Sequence, residues 1–304
     1  MGINAGQYTG SRFVLELEHE SAGYLSSFQP PSYEAEEGSQ SLGPGYTTRK
    51  MLGGPKAGDA TATINISQAG PLLRWLESLW NLKCEQRDAT VHIANQDYKI
   101  KRSLHMLRCL INEVSFPDLN GKDGKKTFDV TTKWRPEDLV FDERGGSLQS
   151  QLGTKAKSWM AANFEVHPCF GLSTQFVTSV TLPKVTTKLT TEGYGELRDP
   201  SVKYAAIEFS AIKMTMGAAG FAAARELAVK TIKDGHVHEG DEQPISIDML
   251  DQSHRVALGN FDLRNCLLKK FDWAPKLEGG KEGLAVCTLE FMVEDFRFEI
   301  KAEG

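Results

Sequence analysis

The sequence predicts a mainly β protein: a β-barrel or two-sheet sandwich with a flanking helix, duplicated in tandem. Three observations predict it. The first is an internal repeat. Pro244–Lys301 reads as a strand, a second strand, a glycine turn and a long final strand, and its pattern occurs twice. Val91–Gln96 aligns with Ile247–Gln252 at a separation of 156 (247 − 91), which also carries Leu107-Arg108 onto Leu263-Arg264. One residue of slip then places Glu137-Asp138 on Glu294-Asp295, Thr131 on Thr288 and Phe141 on Phe298. The second observation is a shared defect. Leu289, Phe291 and Val293 alternate with polar residues, then the phase slips to Phe296, Phe298 and Ile300. Val130, Thr132 and Trp134 slip in the same way to Leu139 and Phe141, with Arg135–Asp138 at the break. A one-residue slip in a period of two is what a β-bulge produces, and Pro136 suits a bulge because it donates no ladder hydrogen bond. The third is length: 304 residues accommodate two domains of about 150 each. The boundaries expected are residues 1–142 and 163–304, joined by a linker at 143–162.

The elements follow in order. Arg12–Leu17 alternates and reads as the first strand, Glu18–Ala22 as a turn, and Gly23–Phe28 as the next strand, continued after Pro30-Pro31 by Ser32–Glu36. At an offset of 152 (183 − 31), Phe164–Val166 and Phe176–Lys188 repeat this arrangement, with Pro31 on Pro183. Glu37–Asp59 is dense in glycine and proline and reads as a long loop. A loop of that length inside a compact domain usually has a function. Its residues Tyr46, Arg49, Lys50 and Met51 suit docking on another surface, and a shorter loop in the second half, Thr190–Ser201, carries Tyr194 and Arg198. Ala60–Ile66 reads as a strand, matched with Val202–Phe209.

A helix comes next in each half. Gly70-Pro71 opens the first, with proline in a favoured first-turn position, and Leu72, Trp75, Leu76 and Leu79 share one face. Ala218–Lys233 forms the second, with Phe221, Leu227, Ala228 and Ile232 inward and Gly235 as its stop. Such helices plug the end of a barrel or sheet. Gly145, Gly146 and Gly153 loosen the linker, and Lys155–Ala162 reads as a short helix or an extended tether.

Composition narrows the function. A hydrophobic content of 40% and a charged content of 25% are those of an ordinary globular protein. A net charge of −5 argues against coating nucleic acid or an anionic membrane. The five cysteines, Cys84, Cys109, Cys169, Cys266 and Cys287, have no metal-knuckle or redox spacing and read as reduced, buried thiols. Met1–Gln7 has neither a basic n-region nor an apolar run, so no signal peptide is expected, and no stretch approaches the ~20 apolar residues of a membrane span. Assembly in the cytoplasm is expected.

No phosphate-binding loop, dinucleotide fingerprint or nucleophile elbow occurs. His236–Glu242 alternates histidine with acids but follows a helix stop, and reads as an exposed loop in preference to a metal site. His92 and Asp248 occupy equivalent strand positions and receive no chemistry. Glu137-Asp138 and Glu294-Asp295 read as exposed polarity that protects a sheet edge. No catalytic residue, metal or cofactor is expected.

Ile245–Gln252, Phe261–Cys266, Pro275–Leu277, Gly279-Gly280 and Val286–Phe296, taken in that order, resemble the C-terminal half of the contractile-phage tail tube protein family. That family includes the tubes of phage-like injection systems. Val91–Gln96, Leu107–Leu119 and Phe128–Phe141 resemble it again, and Phe13–Leu15 with Gly23–Phe28 resembles the family's opening strands. The resemblance implies rings of six β-domains, stacked around a channel. It implies that Glu37–Asp59 lies where the family's inter-ring loop lies, making Tyr46, Arg49, Lys50, Met51, Tyr194 and Arg198 the contact residues. This chain departs from the family in fusing two such domains, so three chains would complete one ring with pseudo-six-fold symmetry. Its partners would be other copies of itself, sheath proteins and baseplate or hub proteins, with DNA or an effector in the channel. Two alternatives stand beside the tube subunit: an adaptor ring between the tube and a three-fold hub or spike, and a tandem β-domain binding module. The tube is preferred because both halves keep the complete pattern.

Overall fold

The computed structural model describes residues 12–41, 48–81, 83, 85–143, 145–148, 159–192, 201–235, 238–273 and 286–301. The expected mainly β architecture is present. The chain forms two compact units, and neither is continuous in sequence. Unit 1 takes residues 1–114, 131–156 and 187–207; unit 2 takes 115–130, 157–186 and 208–304.

In unit 1, β1 (Arg12–Leu17) and β2 (Glu20–Gln29) form a hairpin. Its loop is only Glu18-His19, both at positive φ (48° and 70°), the backbone of a type I′ turn. The sequence predicts a five-residue turn here, because the usual Asn-Gly signal of a type I′ turn is missing. Next come β3 (Tyr33–Ser41), β4 (Thr48–Ala57), β5 (Ala60–Asn65) and helix α1 (Gly70–Trp80). The first unit continues with β6 (Arg87–Ala94) and the long β7 (Lys99–Ser115). The two-residue β8 (Leu119–Asn120) belongs to unit 2. After it come β9 (Asp129–Arg135), β10 (Asp138–Asp142) and the short β11 (Gly146–Ser147).

The pairing order β7-β6-β1-β2-β5-β9, with β9 returning to β7, closes a six-stranded circuit. Strand alternation fills it. Leu15, Leu17, Ile64, Val91, Met106 and Trp134 are buried. Helix α1 buries the four residues its periodicity selects, and Trp75 meets Trp134 with ring centroids 6.5 Å apart. Both indole N–H groups are satisfied, by the Glu85 carbonyl at 3.0 Å and by Met106 Sδ at 3.3 Å. Leu148 covers a second small core with Val14 and Ala94.

In unit 2, β12 (Phe164–Val166), β13 (Val177–Thr181), β16 (Ile212–Gly217), β17 (Gln243–Leu250), β18 (Ala257–Asp272), β19 (Val286–Met292) and β20 (Asp295–Ile300) pair in the order β12-β17-β18-β19-β16-β13, with β20 on β18 and β8 on β13. Between them in sequence, β14 (Val185–Glu192) and β15 (Ser201–Phe209) lie mostly in unit 1. The core of unit 2 is aromatic. Phe261 lies 4.5 Å from Phe298, 5.3 Å from Phe116 and 5.8 Å from Phe296, centroid to centroid. Helix α2 (Phe221–Ala228) sets Phe221 6.0 Å from Phe271 of β18. It continues as a π-helical turn, Val229–Lys233, which shifts the phase of its faces. Ala224 and Ala228 are buried in α2; after the phase shift Thr231 is buried, and Ile232, expected inward, is exposed.

The strand registers correct two sequence alignments. Leu25 pairs with Ile64, and Val177 with Met216; Phe28 pairs with Ala62, and Val180 with Met214. The offset of 152 therefore relates β2 to β13 and β5 to β16, so Ile212–Gly217, not Val202–Phe209, answers Ala60–Asn65. Val91 pairs with Leu104 and Ile247 with Phe261; Asp138 pairs with Leu107 and Asp295 with Arg264. Leu107 therefore stands level with Arg264 and Arg108 with Asn265, one residue away from the identity match. Arg108 and Asn265 share a φ of 50°, which marks the same bulge in each unit.

Candidate functional site

The stretch expected to be a loop, Glu37–Asp59, is instead mostly strand: β3 and β4 form an antiparallel hairpin. Gly53, Gly54 and Pro55 are tolerated because β4 is an edge strand, and a register shift between Ala35 and Glu37 accommodates the irregularity. The offset that relates β2 to β13 carries Tyr33 onto Val185 and Ala57 onto Phe209. The two hairpins thus occupy matching stretches of the two sequence halves, and their surroundings differ.

The β14–β15 hairpin is built into a sheet, in the order β15-β14-β7. Strand β6 pairs along β7 as far as Arg87 opposite Cys109. Beyond that point β14 takes over. Thr187 Oγ1 donates to the Ile111 carbonyl, and the Ile111 N–H donates to the Tyr204 hydroxyl at 2.9 Å. Glu137 fixes the register. One carboxylate oxygen accepts the Val202 N–H at 2.6 Å and the Gln86 amide at 3.1 Å, while the other pairs with Arg108. The Gln86 amide also donates to the Val202 carbonyl at 3.3 Å. Burial pushes the Glu137 carboxyl up, but the hydrogen bonds from Arg108 and Val202 outweigh it and hold the group below the ordinary carboxylate range. The expectation that Glu137 is exposed edge polarity is therefore wrong: its side chain is buried and serves as a clamp.

The β3–β4 hairpin forms a two-stranded sheet of its own. Two strands alone are marginally stable in water and offer unpaired backbone along both edges. This hairpin also shows apolar side chains to solvent: Tyr33 is 58% exposed, Met51 47% and Leu52 77%. Its base is anchored. The Gly58 N–H donates to the Ser32 carbonyl at 2.8 Å, and Asp59 accepts from Asn112 at 2.6 Å and from Arg135 at 2.7 Å. Of the expected contact residues, Arg49, Lys50 and Met51 lie on β4, exposed, with Lys50 3.2 Å from Glu37. Tyr46, Tyr194 and Arg198 lie outside the described residues.

Unit 2 has the counterpart of the Glu137 clamp. The Glu294 N–H donates to the Arg264 carbonyl at 3.4 Å, as the Glu137 N–H does to Leu107 at 3.0 Å. Asn265, in the place of Arg108, donates to Glu294 at 2.9 Å. Glu294 is exposed. Strand β17 pairs along β18 only to Gln243 opposite Cys266, and beyond it that edge of β18 carries no other described strand. Beside the start of β17, α2, Phe170 and Asp241 border a groove of about 350 Å³. Trp273, 68% exposed, follows the end of β18, and Met292, 46% exposed, pairs with Leu267.

The polar residues His92, Asp248 and His238 make contacts within the fold. His92 meets Ser103 at 2.8 Å and Glu16 at 3.2 Å. Asp248 accepts from Asn260 at 2.7 Å and Lys301 at 2.9 Å, and meets His167 at 3.0 Å. His238 caps a short turn at Glu239–Asp241, while His236 lies outside the described residues. Among the described residues, no three His, Cys, Asp or Glu side chains gather to hold a metal ion, and no helix is long and apolar enough to cross a membrane.

No protein-family profile and no curated protein sequence matches the chain. Among solved structures it is similar to the sheath/tube terminator of an extracellular contractile injection system, PVC, in the extended state. That similarity has 14% identity and a TM-score of 0.37, covering 47% of this chain and 97% of the other. It is similar to the tube-terminating cap of the anti-feeding prophage at 12% identity and a TM-score of 0.42, covering 51% and 100%. It is also similar to Hcp1 from Flavobacterium johnsoniae at 12% identity and a TM-score of 0.29, covering 45% and 98%.

Proposed function

We propose that the chain is a structural, self-assembling subunit of the inner tube of a contractile phage tail or phage-like injection system. Each sequence half, 1–142 and 163–304, encodes one tube-type domain, and three chains supply the six domains of a pseudo-six-fold ring. The observation that carries this reading is the recurrence of one pairing scheme. The order β1-β6-β7-β9-β5-β2 in unit 1 has its counterpart in β12-β17-β18-β19-β16-β13 in unit 2, and a helix follows β5 and β16 alike. The sequence resemblance to tube proteins, which spans both halves, supplies the functional class. Stacked rings would enclose a channel, with sheath and baseplate proteins as outer partners. The structural role needs no catalytic group and no cofactor.

Negative-stain microscopy with light scattering tests the proposal. Rings or tubes with a central hole, and a mass of three 33.6 kDa chains or a multiple of that trimer, are expected. Closed rings that never stack would assign the chain to an adaptor ring. A monomer at high protein concentration, unchanged by sheath and baseplate components, would overturn the proposal.

A further inference from the structure

We propose that the β3–β4 hairpin of one chain docks on unit 2 of a second copy, along the β18 edge beyond Cys266, with Glu294 as the clamp for its backbone. The inference rests on the self-assembly reading and names the surfaces that would carry it.

The chain contains its own precedent. In unit 1, residues 187–207 of the β14–β15 hairpin cover the β7 edge beyond Cys109 and are held by Glu137 through the Val202 N–H. In unit 2, the counterpart edge and the counterpart carboxylate are both present, and Glu294 is exposed. The hairpin Tyr33–Ala57 is the counterpart of the docked one, and among the described residues it pairs with no other strand. Lys50 answers Val202 at the offset of 152, so its backbone N–H is the donor that Glu294 would accept.

Both surfaces also offer what a stable contact buries. The hairpin presents Met51 and Leu52, and the residue that follows the receiving strand, Trp273, is 68% exposed. Charge is complementary. Strand β4 brings the exposed Arg49, and unit 2 brings the exposed Glu294, while Lys50 is paired with Glu37 and Asp295 with Arg297. The lysines of that edge are already paired, Lys269 with Glu290 at 3.6 Å and Lys270 with Asp272 at 2.7 Å. Strand addition of this kind takes its affinity from main-chain hydrogen bonds and its specificity from side-chain pockets. Because the interface is heterologous, hairpin to edge, it propagates from chain to chain and closes into a ring when the rotation permits.

The test uses two full-length variants. Met51→Asp/Leu52→Asp disables the hairpin and keeps the edge; Glu294→Lys disables the edge and keeps the hairpin. Circular dichroism checks that both remain folded. Each variant alone is expected to sediment as a monomer, and their mixture is expected to give a one-to-one dimer and nothing larger, since only one hairpin–edge contact survives. If the wild type forms rings and both variants form the same rings, the docking inference is overturned while the tube reading stands. If the wild type itself remains monomeric with its particle partners, both fall. A mixture of the two variants that stays monomeric also overturns the docking inference.

Discussion

Gly259 faces the ring of Trp159 so closely that a Cβ at this position would sit 2.7 Å from Cη2 and 2.9 Å from Cζ3, with the Glu299 carbonyl 3.1 Å away on the backbone side. The indole is part of the aromatic core, 6.1 Å from Phe298, and cannot yield without disturbing it. Gly259→Ala is expected to destabilise unit 2 by about 1–3 kcal/mol through overpacking. Chemical denaturation followed by tryptophan fluorescence measures it. A change within about 0.5 kcal/mol, the usual range at neutral surface sites, would show that the ring moves freely.

The two clamp carboxylates should differ in worth. Glu137→Ala leaves the Val202 N–H without its acceptor and Arg108 without its partner, and should cost about 2–3 kcal/mol. Glu294→Ala removes an exposed carboxylate and should cost about 0.5 kcal/mol or less in the isolated chain. Urea titration of both variants under non-assembling conditions compares them. Equal costs would contradict the contrast.

Acid should destabilise the fold through Glu137 and Asp248. Burial pushes the Asp248 carboxyl up, but bonds from Asn260, Lys301 and His167 hold it below its ordinary value, as Arg108 and Val202 do for Glu137. A carboxyl whose folded pKa is depressed contributes its full stabilisation above its unfolded pKa of about 4 and loses it as pH falls through the folded value. The urea midpoint should therefore hold between about pH 7 and 5 and fall below about pH 4. Glu137→Gln with Asp248→Asn should flatten that fall. An unchanged slope in the double variant would assign acid sensitivity to other groups.

The described cysteines should be inert in the native protein. All four are buried and free. Burial raises the thiols of Cys109 and Cys287, pushes Cys169 to about 11 and pushes Cys266 to about 12. Since the thiolate is the reactive form, iodoacetamide at neutral pH should leave these four unlabelled until denaturant is added. Mass spectrometry of native and unfolded samples reads the sites directly, and fast native labelling at Cys109 would contradict the burial.

Much of this architecture was legible in the residues. Period-two alternation placed β1, β5, β9, β19 and β20 closely, and helical periodicity selected all four apolar residues of α1 named from it. The β3–β4 hairpin was hidden because its glycines and Pro55 are loop signals everywhere except on an edge strand. The identity of Leu107-Arg108 with Leu263-Arg264 drew the alignment one residue off, since a bulge changes register without leaving a mark in composition. Glu137 looks like exposed polarity in the sequence because its burial and pairing depend on Val202, 65 residues away along the chain. No local pattern encodes that contact.

The discontinuity of the two units imposes an order on biosynthesis. Unit 1 draws on residues 187–207, so its sheet is incomplete when residue 156 has left the ribosome. Until β14 arrives, the nascent chain exposes the β7 edge beyond Cys109, and Glu137 has no backbone donor. Vectorial folding of the N-terminal half is thereby deferred, and a stalled or truncated product ending at Asp142 would present an open sheet edge to chaperones or to other nascent chains. The long separation between strands that finally meet also gives the chain many non-local contacts, which favours slow folding. Production of this protein should therefore depend on keeping translation and folding in step, which slower synthesis at low temperature provides.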